Sequence, residues 1–150
     1  MNDIKVTLLN MCMIYDDCGN YLVLDRIKPD WPGITFPGGH VEHNESITDS
    51  VIREVKEETG LNIYSPQLCG IKNWISDDGS RFVVFLYKTN KYDGQIKSSH
   101  EGNVFWVNNK DFDKLNWSSG MTDYLKIFLN DEFNEVYYYI EKNDWKYKIQ

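Results

Sequence analysis

The chain has 150 residues, of which 41% are hydrophobic and 15% aromatic, and its formal net charge at pH 7 is −7. This length and composition predict one globular domain with a sizeable core and exclude a disordered chain. The negative charge excludes a protein that binds nucleic acid through its overall electrostatic field.

Cysteine usage and hydropathy predict the compartment. The three cysteines favour neither a disulfide framework nor a zinc site, because their number is odd and no CxxC pair is present. Reduced thiols are typical of the cytoplasm. The N-terminus lacks the pattern of a secretory signal, and no apolar stretch approaches membrane-spanning length. We therefore expect a cytoplasmic protein with no membrane partner, whose oligomeric state the sequence leaves open.

Hydrophobic periodicity predicts a chain of mixed secondary structure. Apolar runs bounded by turn residues indicate strands, and apolar residues at helical spacing indicate helices. In chain order, the predicted elements are strands at residues 6–15, 21–27 and 34–36, a helix at 46–59, strands at 68–75, 81–89 and 103–107, a helix at 119–130, and a hairpin formed by 136–140 and 145–149. Residues 90–102 are polar and predict a loop. We expect residues 1–150 to form a single domain that ends in a hairpin at about 135–149.

The helix predicted at residues 46–59 carries three glutamates on one face. Glu54 lies three residues before Glu57 and four before Glu58, a spacing that brings the three carboxylates together. Like charges repel, so this grouping favours a bound divalent cation, and all-oxygen ligands suit Mg²⁺ or Mn²⁺ and not zinc. The alternative is a solvated acidic face, which leaves the glycines, glutamate and arginine at fixed offsets around the helix unexplained.

Residues 39–61 resemble the Nudix box, the signature of hydrolases that cleave a diphosphate linked to another group. The stretch holds a glycine, the carboxylate Glu45, the run from Arg53 to Glu58 that reads Arg-Glu-Val-Lys-Glu-Glu, and Gly60 followed by leucine. The lead-in Phe-Pro-Gly-Gly at residues 36–39 is similar to the MutT type, the 8-oxo-dGTP diphosphatases. The resemblance implies an α+β fold, the Nudix-type α/β/α sandwich with a mixed β-sheet.

The resemblance also implies roles for the polar residues of the motif. Glu57 and Glu58 would bind the essential Mg²⁺, and Arg53 would orient the carboxylates through Glu45 or Glu54, the alternative being an ordinary surface ion pair. Glu54 would hold a metal or accept a proton from the attacking water. Glu101 is the other candidate for either role. The implied catalytic set is Arg53, Glu54, Glu57 and Glu58, and the implied metal set is Gly38, through its carbonyl, with Glu54, Glu57, Glu58 and Glu101.

Aromatic side chains are candidates for contact with a nucleobase, since stacking on an aromatic ring stabilises a bound base by about 1–3 kcal/mol. Phe36 is the foremost, because MutT-type enzymes place an aromatic residue at this position near the purine. Trp31 and Trp74 are the others. The alternative for each of these side chains is a place in the hydrophobic core.

Polar residues complete the predicted substrate site. Arg26 ends the second predicted strand and either reaches the substrate or is solvated. Asn116 precedes the second predicted helix, where MutT-type enzymes place a purine-reading amide, and the alternative is a helix cap. Gly39 lies in the loop expected to face the phosphates. The predicted substrate-binding set is therefore Arg26, Phe36, Gly39 and Asn116.

The implied function is that of a Mg²⁺-dependent nucleotide diphosphatase, with Mn²⁺ as a possible substitute. It would hydrolyse a nucleoside triphosphate, an 8-oxo-dGTP-like purine, to the nucleoside monophosphate and pyrophosphate. Two alternatives remain open: a hydrolase of a dinucleoside polyphosphate, ADP-ribose or nucleotide sugar, and a non-catalytic module that binds a nucleotide. Because none of the metal carboxylates is missing, the enzyme is favoured. The expected partner is a small-molecule nucleotide and not a nucleic acid.

Overall fold

Short strands and two α-helices follow one another along the computed structural model, which describes residues 2–150. The strands are β1 (Val6–Ile14), β2 (Asn20–Arg26), β3 (Gly33–Thr35), β4 (Gly38–His40), β5 (Asn62–Ile63), β6 (Gln67–Ile75), β7 (Arg81–Thr89), β8 (Tyr92–Asp93), β9 (Gly102–Asn108), β10 (Glu135–Glu141) and β11 (Asp144–Ile149). The helices are α1 (Ile47–Thr59), a 3-10 helix (Asn109–Lys114) and α2 (Met121–Phe128). Neither α-helix of the described residues has the length and hydropathy of a transmembrane helix.

The main sheet has six strands in the order β11-β10-β6-β7-β1-β4. It is mixed, because β1 pairs with β7 in parallel and β10 pairs with β6 in parallel, whereas the other neighbours are antiparallel. β1 lies inside this sheet and its residues are apolar on both faces, as expected of a strand that is covered on both sides. A mixed sheet with helices against both faces is the predicted α+β fold, and this prediction is confirmed.

Two hydrophobic clusters occupy the two faces of the main sheet. Met11 and Met13 of β1 point to one cluster, which α2 covers, and Cys12 and Ile14 point to the other, which α1 covers. This alternation follows from the two-residue period of a strand. The apolar stripe of α1, which includes the fully buried Val51, packs onto its face and directs the opposite, acidic side of the helix away from the core.

A second sheet of three antiparallel strands, β3-β2-β9, brings the end of β2 against the start of β9. Arg26 pairs with Gly102 in this register. A Cβ atom at Gly102 would lie 2.0 Å from the carbonyl oxygen of Asp25, so only glycine permits this approach. Glu101 is thereby held next to the end of β2, far along the chain from the acidic helix.

The long elements agree with the sequence predictions, and the differences have physical causes. Strands β4, β5 and β8 and the 3-10 helix were not predicted, because each is short and depends on pairing or packing with a distant segment. The second α-helix begins at Met121 and not at residue 119, since Gly120 at its N-cap has a left-handed φ of 83°. Residues 90–102 contain β8 and are otherwise irregular.

The C-terminal hairpin of β10 and β11 extends the main sheet. Its turn passes through Lys142 and Asn143, whose φ angles of 51° and 67° are those of a two-residue turn that suits the twist of the flanking strands. Val136 of β10 is fully buried among the residues that α2 covers, whereas Ile140 on the same strand is 52% exposed. The hairpin is therefore anchored through the first half of β10.

We expect Val136→Ala to lower the free energy of unfolding by roughly 1–3 kcal/mol, because it leaves a cavity in a packed core. The matched change Ile140→Ala on the exposed half of the strand should stay within about 0.5 kcal/mol of the parent. Urea denaturation of the two variants measures both values. Equal losses at the two positions would contradict the anchoring of the hairpin through Val136.

Candidate active site

The acidic helix α1 is fixed at both ends by local hydrogen bonds. Ser46 is the N-cap, and its side chain accepts a hydrogen bond from the backbone N–H of Asp49 at 3.0 Å. Gly60 ends the helix with a left-handed φ of 82°, and its N–H donates to the carbonyl of Lys56. These bonds fix the two ends of the helix. The helix follows β4 in the chain, and its glutamates lie beside that strand.

Arg53 is the centre of a hydrogen-bond network on the polar side of α1. Its Nε and Nη2 donate to the two oxygens of Glu45 at 2.9 and 2.7 Å, a bidentate pair. Nη1 donates to Glu54 at 2.9 Å and to Glu57 at 3.2 Å, and Nη2 also donates to the carbonyl of His40 at 3.0 Å. The five bonds use all the donors of the guanidinium group, which was expected to engage Glu45 or Glu54 and in fact contacts both.

The charges in this network stabilise one another. The hydrogen bond from Arg53 lowers the pKa of Glu45 to about 2, and the backbone N–H of Glu42 acts in the same direction. Hydrogen bonds to Glu45 and Glu54 in turn raise the pKa of the Arg53 guanidinium above its ordinary value. The pair is therefore ionised at neutral pH and holds the end of β4 and the first turns of α1 in one arrangement.

The carboxylate of Glu58 lies outside the Arg53 network, although Glu58 is only one helical turn after Glu54. It is 7% exposed and accepts a hydrogen bond from the backbone N–H of Gly38 at 3.1 Å. Burial raises the pKa of Glu58 to about 8, and the negative charges of Glu54 and Glu101 act in the same direction. Burial also raises the pKa of Glu54, although the hydrogen bond from Arg53 opposes this effect.

The two glycines before the helix make room for these carboxylates. A Cβ atom at Gly38 would lie 2.1 Å from the backbone oxygen of Asn10, and one at Gly39 would lie 2.5 Å from the carboxylate of Glu54. Asn10 is buried between β4 and α1, where it accepts from the N–H of Gly39 at 3.3 Å and donates to Ser50 at 2.9 Å. The carboxylate of Glu54 therefore lies between the backbone of Gly39 and the guanidinium group of Arg53.

Glu101 faces this group from the opposite wall. Its carboxylate accepts from Lys28 at 2.6 Å and lies 3.3 Å from a ring nitrogen of His100. The Glu101 side chain is only 17% exposed. Glu54, Glu58 and Glu101 therefore line the same cleft as the Gly38 backbone, whereas Glu57 is 59% exposed, bonds to Arg53 and does not line it.

A divalent cation fits the chemistry of this set. Its donors are all oxygens, and burial together with two neighbouring carboxylates makes the charge on Glu58 unfavourable unless a proton or a cation neutralises it. Within residues 2–150, no three His, Cys, Asp or Glu side chains are arranged as a complete ligand set, and Arg53 occupies Glu54 and Glu57. Binding a cation would therefore compete with some of the bonds that Arg53 makes.

A cleft of about 730 Å³ runs from these carboxylates across the face of the main sheet that α2 partly covers. Arg26, Phe36 and Gly39 of the predicted substrate set line it. Arg26 donates to Asp30 at 2.7 Å and to the carbonyl of Trp31 at 3.0 Å, so it is fixed at the wall of the cleft and is not a solvated strand end.

Two of the substrate predictions are corrected by the structure. Phe36 is 1% exposed and packs edge-to-face on Trp117 and Phe128, so its ring lies under the cleft and offers no open face to a base. Asn116 is exposed, does not line the cleft, and accepts from the N–H of Ile34 through its backbone carbonyl at 2.8 Å. This bond, together with the bridge between Ile34 and Trp117, holds the segment along β3 and turns Asn116 outward.

Sequence reasoning missed two lysines of the cleft and one aromatic partner. Lys28 was overlooked because its partner Glu101 is distant in the chain. Lys72 interrupts the apolar strand β6, and a lysine in such a run was an available but unused indication of a special environment. Trp74, a predicted stacking residue, lines the cleft and is itself stacked on Phe82, with ring centroids 5.1 Å apart.

These features define a cleft with carboxylates at one end, and comparison with known proteins gives the family of the chain. Residues 10–126 match the NUDIX domain, and the chain belongs to the Nudix hydrolase family. It is 36% identical over 114 residues to the uncharacterized Nudix hydrolase YvcI of Bacillus subtilis, covering 73% of this chain and 70% of YvcI.

Two further relatives have more specific names. The phosphatase NudJ of Escherichia coli is 29% identical over 79 residues, which is 51% of this chain and 49% of NudJ. The crystal structure of the MutT protein from Bacillus halodurans superposes with a TM-score of 0.76 at 28% identity, covering 95% of this chain and 97% of that protein. The resemblance to MutT-like Nudix enzymes is thus confirmed, and Nudix hydrolases generally use divalent metal ions.

The burial of Glu58 predicts a pH-dependent cost in the metal-free protein. Because the folded pKa of about 8 lies above the ordinary value of 4.5, the folded state retains a proton that the unfolded state releases, and stability falls as the pH rises between these values. In excess chelator, we expect Glu58→Gln to raise the free energy of unfolding by roughly 2–4 kcal/mol at pH 8.5 and by much less at pH 5.

Urea denaturation at the two pH values measures this difference. Glu57→Gln is the matched control, since the Glu57 carboxylate on the same helix is 59% exposed and should give no such gain. If Glu58→Gln has the same effect at pH 5 and pH 8.5, then the Glu58 carboxylate is not destabilised by burial.

The contact between Gly39 and Glu54 predicts the effect of a single methyl group. In Gly39→Ala the Cβ would overlap the Glu54 carboxylate, and this flexible side chain would move away from Arg53. We expect turnover to fall roughly 10–100-fold, in line with the effect of ångström-scale misplacement of catalytic groups. The free energy of unfolding should change by less than about 1 kcal/mol. Parent-like turnover in this variant would show that the position of Glu54 is not critical.

Proposed function

We propose that this chain is a Mg²⁺-dependent nucleotide diphosphatase that hydrolyses a purine nucleoside triphosphate to the nucleoside monophosphate and pyrophosphate, with Mn²⁺ able to replace Mg²⁺. One observation carries the proposal: a cleft with buried carboxylates at one end has aromatic side chains at the other. Such a cleft suits a ligand with a charged diphosphate at one end and a flat, weakly polar base at the other. The proposal takes residues 1–150 as one catalytic domain.

The carboxylate end would hold the cation. Glu57, Glu58 and the carbonyl of Gly38 are its proposed ligands, with Glu54 and Glu101 available as further ones. When bound, the cation would neutralise charge on the diphosphate, polarise a phosphoryl oxygen and lower the pKa of a bound water. The oxygen donors are supplied by one helix and one strand end, which keeps their relative positions fixed.

The proton from the attacking water requires a carboxylate that is held in place yet basic enough to accept it. Glu54 meets this requirement, because Arg53 and the bare backbone of Gly39 fix it while burial raises its pKa. Glu101 also meets the geometric requirement, since Lys28 holds it at the opposite wall. We assign the roles of general base and auxiliary metal ligand to these two residues as a pair.

The cations at the wall of the cleft would bind the phosphate groups. Arg26 lines the same cleft as Glu54 and Glu58. Its bonds to Asp30 and to the carbonyl of Trp31 hold the side chain in place before any ligand binds. With the backbone of Gly39 on the other side, Arg26 is placed to contact non-bridging phosphate oxygens.

A substrate panel tests the proposed activity. With Mg²⁺ present, we expect 8-oxo-dGTP and dGTP to be hydrolysed to monophosphate and pyrophosphate with a kcat/KM at least about tenfold above that for ADP-ribose, dinucleoside polyphosphates and nucleotide sugars, a difference of about 1.4 kcal/mol. Glu58→Gln should lower kcat by at least about 100-fold because it removes an anionic ligand, and excess chelator should abolish turnover.

Chromatographic separation of the products identifies the bond that is cleaved. A tenfold preference for ADP-ribose or a dinucleoside polyphosphate would reject the triphosphate assignment and retain the metal-dependent diphosphatase. Activity that persists in excess chelator would reject the diphosphatase mechanism itself. The matched control for Glu58→Gln is Glu132→Gln, an exposed carboxylate beyond α2, which should turn over like the parent.

A further inference from the structure

Lys72 of β6 occupies the end of the cleft opposite the carboxylates. Its ammonium nitrogen lies 4.3 Å from the ring centroid of Tyr124, 4.5 Å from that of Tyr138 and 5.4 Å from that of Trp74. Three aromatic rings thus surround one positive charge, an arrangement that favours a cation through the ring quadrupoles. Burial lowers the pKa of Lys72 to about 8, so the ammonium form persists at neutral pH in a poorly hydrated setting.

The ammonium group of Lys72 has donors to spare. Of the lysines and arginines that line the cleft, Arg26 is bonded to Asp30 and Lys28 to Glu101. Within residues 2–150, the side-chain ammonium of Lys72 makes no hydrogen bond or ion pair, whereas its backbone is paired in the sheet with β7 and β10. Asp123, the acid whose charge acts on Lys72, accepts from the hydroxyl of Tyr138 and lies 3.7 Å from Lys126. The ammonium group lines the cleft without a polar partner, so its three donors are available to a ligand that enters the cleft.

The strand register gives the position of Lys72 relative to the carboxylates. Lys72 pairs with Val84, Val84 with Leu9, and Leu9 with His40, so these four residues form one row across β6, β7, β1 and β4. Three inter-strand steps of about 4.8 Å separate the ends of the row by roughly 14 Å. All four line the cleft. A ligand whose diphosphate lies beside β4 would therefore extend across this row toward Lys72.

We propose that Lys72 is a specificity-determining residue, whose ammonium group donates a hydrogen bond to the carbonyl oxygen at position 6 of a purine base held at the aromatic end of the cleft. The inference rests on the proposed function and deepens it by naming the base. An ammonium group has three donors and no acceptor. It therefore matches the carbonyl oxygen of a 6-oxopurine and leaves the amino group of a 6-aminopurine facing another donor.

The acceptor is assigned to the base and not to a phosphate because of what surrounds Lys72. Trp74 and Phe82, stacked with an angle of 7° between their rings, stand beside it on the same face of the sheet. Flat apolar rings suit a base. The carboxylates proposed to hold the cation and the diphosphate lie at the other end of the row. A site built to donate to an oxygen discriminates strongly against an analogue that lacks it.

Binding of the monophosphate products in excess chelator tests the inference without catalysis. By titration calorimetry, we expect the parent to bind dGMP at least tenfold more tightly than dAMP. Lys72→Met keeps an unbranched side chain and removes the donors, so it should weaken dGMP at least fivefold and change dAMP by less than twofold. Lys72→Gln, whose amide both donates and accepts, should bind the two nucleotides with affinities within threefold of each other.

Lys148→Met is the matched control, because Lys148 also lies near an aromatic ring, 5.9 Å from Tyr137, but is exposed on β11 outside the cleft. It should leave both affinities unchanged, and the melting temperature of each variant reports that it is folded. Equal weakening of dGMP and dAMP in Lys72→Met would assign Lys72 to a phosphate or to packing and overturn the inference. So would a parent that shows no preference for dGMP.

Catalysis separates this inference from the proposed function. In the presence of Mg²⁺, the ratio of kcat/KM for dGTP to that for dATP should fall at least fivefold in Lys72→Met, mainly through KM. A parent that hydrolyses no triphosphate, yet whose preference for dGMP is lost in Lys72→Met, would reject the proposed function and retain the role of Lys72. A parent that hydrolyses both triphosphates with an unchanged ratio in Lys72→Met would do the reverse.

Discussion

The hydrogen bonds of Arg53 are the constraint on which the rest of the site depends. A guanidinium group has its donors in a rigid planar fork, and here each donor has a partner contributed by the loop before α1, by α1 itself or by the backbone of β4. Lysine could neither span these partners nor form the bidentate pair with Glu45. Three segments are thereby locked together, and the carboxylates of α1 are held near one another despite their mutual repulsion.

The site combines this stabilising network with a group of carboxylates whose proximity is unfavourable. Glu45 and Arg53 favour each other's ionised form, whereas Glu58 is buried beside two further acids. A buried like-charged group costs stability unless a ligand supplies the compensating charge, as is common at functional sites. At the opposite end of the cleft, the Lys72 ammonium contacts three aromatic rings and has no polar partner. A divalent cation bound together with a diphosphate would compensate the charge of the carboxylates, and an acceptor on the base would accept a hydrogen bond from Lys72.

The sequence predicts most of the architecture and the spacing of the acidic residues on α1. The glutamate spacing and the long strands are local patterns, and each is present in the fold because tertiary contacts agree with them. Phe36 was misjudged because an aromatic residue before a glycine pair has the same local pattern whether its ring faces a cleft or a core. Lys28 and strand β4 depend on partners at least 27 residues away, as the register of Gly38 with Met11 illustrates, and no local pattern records such pairings.

The two ends of the cleft come from different parts of the chain. Residues 38–58 supply most of the carboxylate end, whereas the surroundings of Lys72 are completed by Tyr124 of α2 and by Tyr138 of the C-terminal hairpin, which joins the sheet through parallel pairing with β6. The proposed cleavage centre and the proposed base site are therefore encoded by different segments of the chain, which can change independently. On the proposed assignments, changes confined to about the last 30 residues would alter the base site and leave the carboxylate end as it is. During synthesis, helix α1 is likewise translated well before Tyr124 and Tyr138, which complete the surroundings of Lys72.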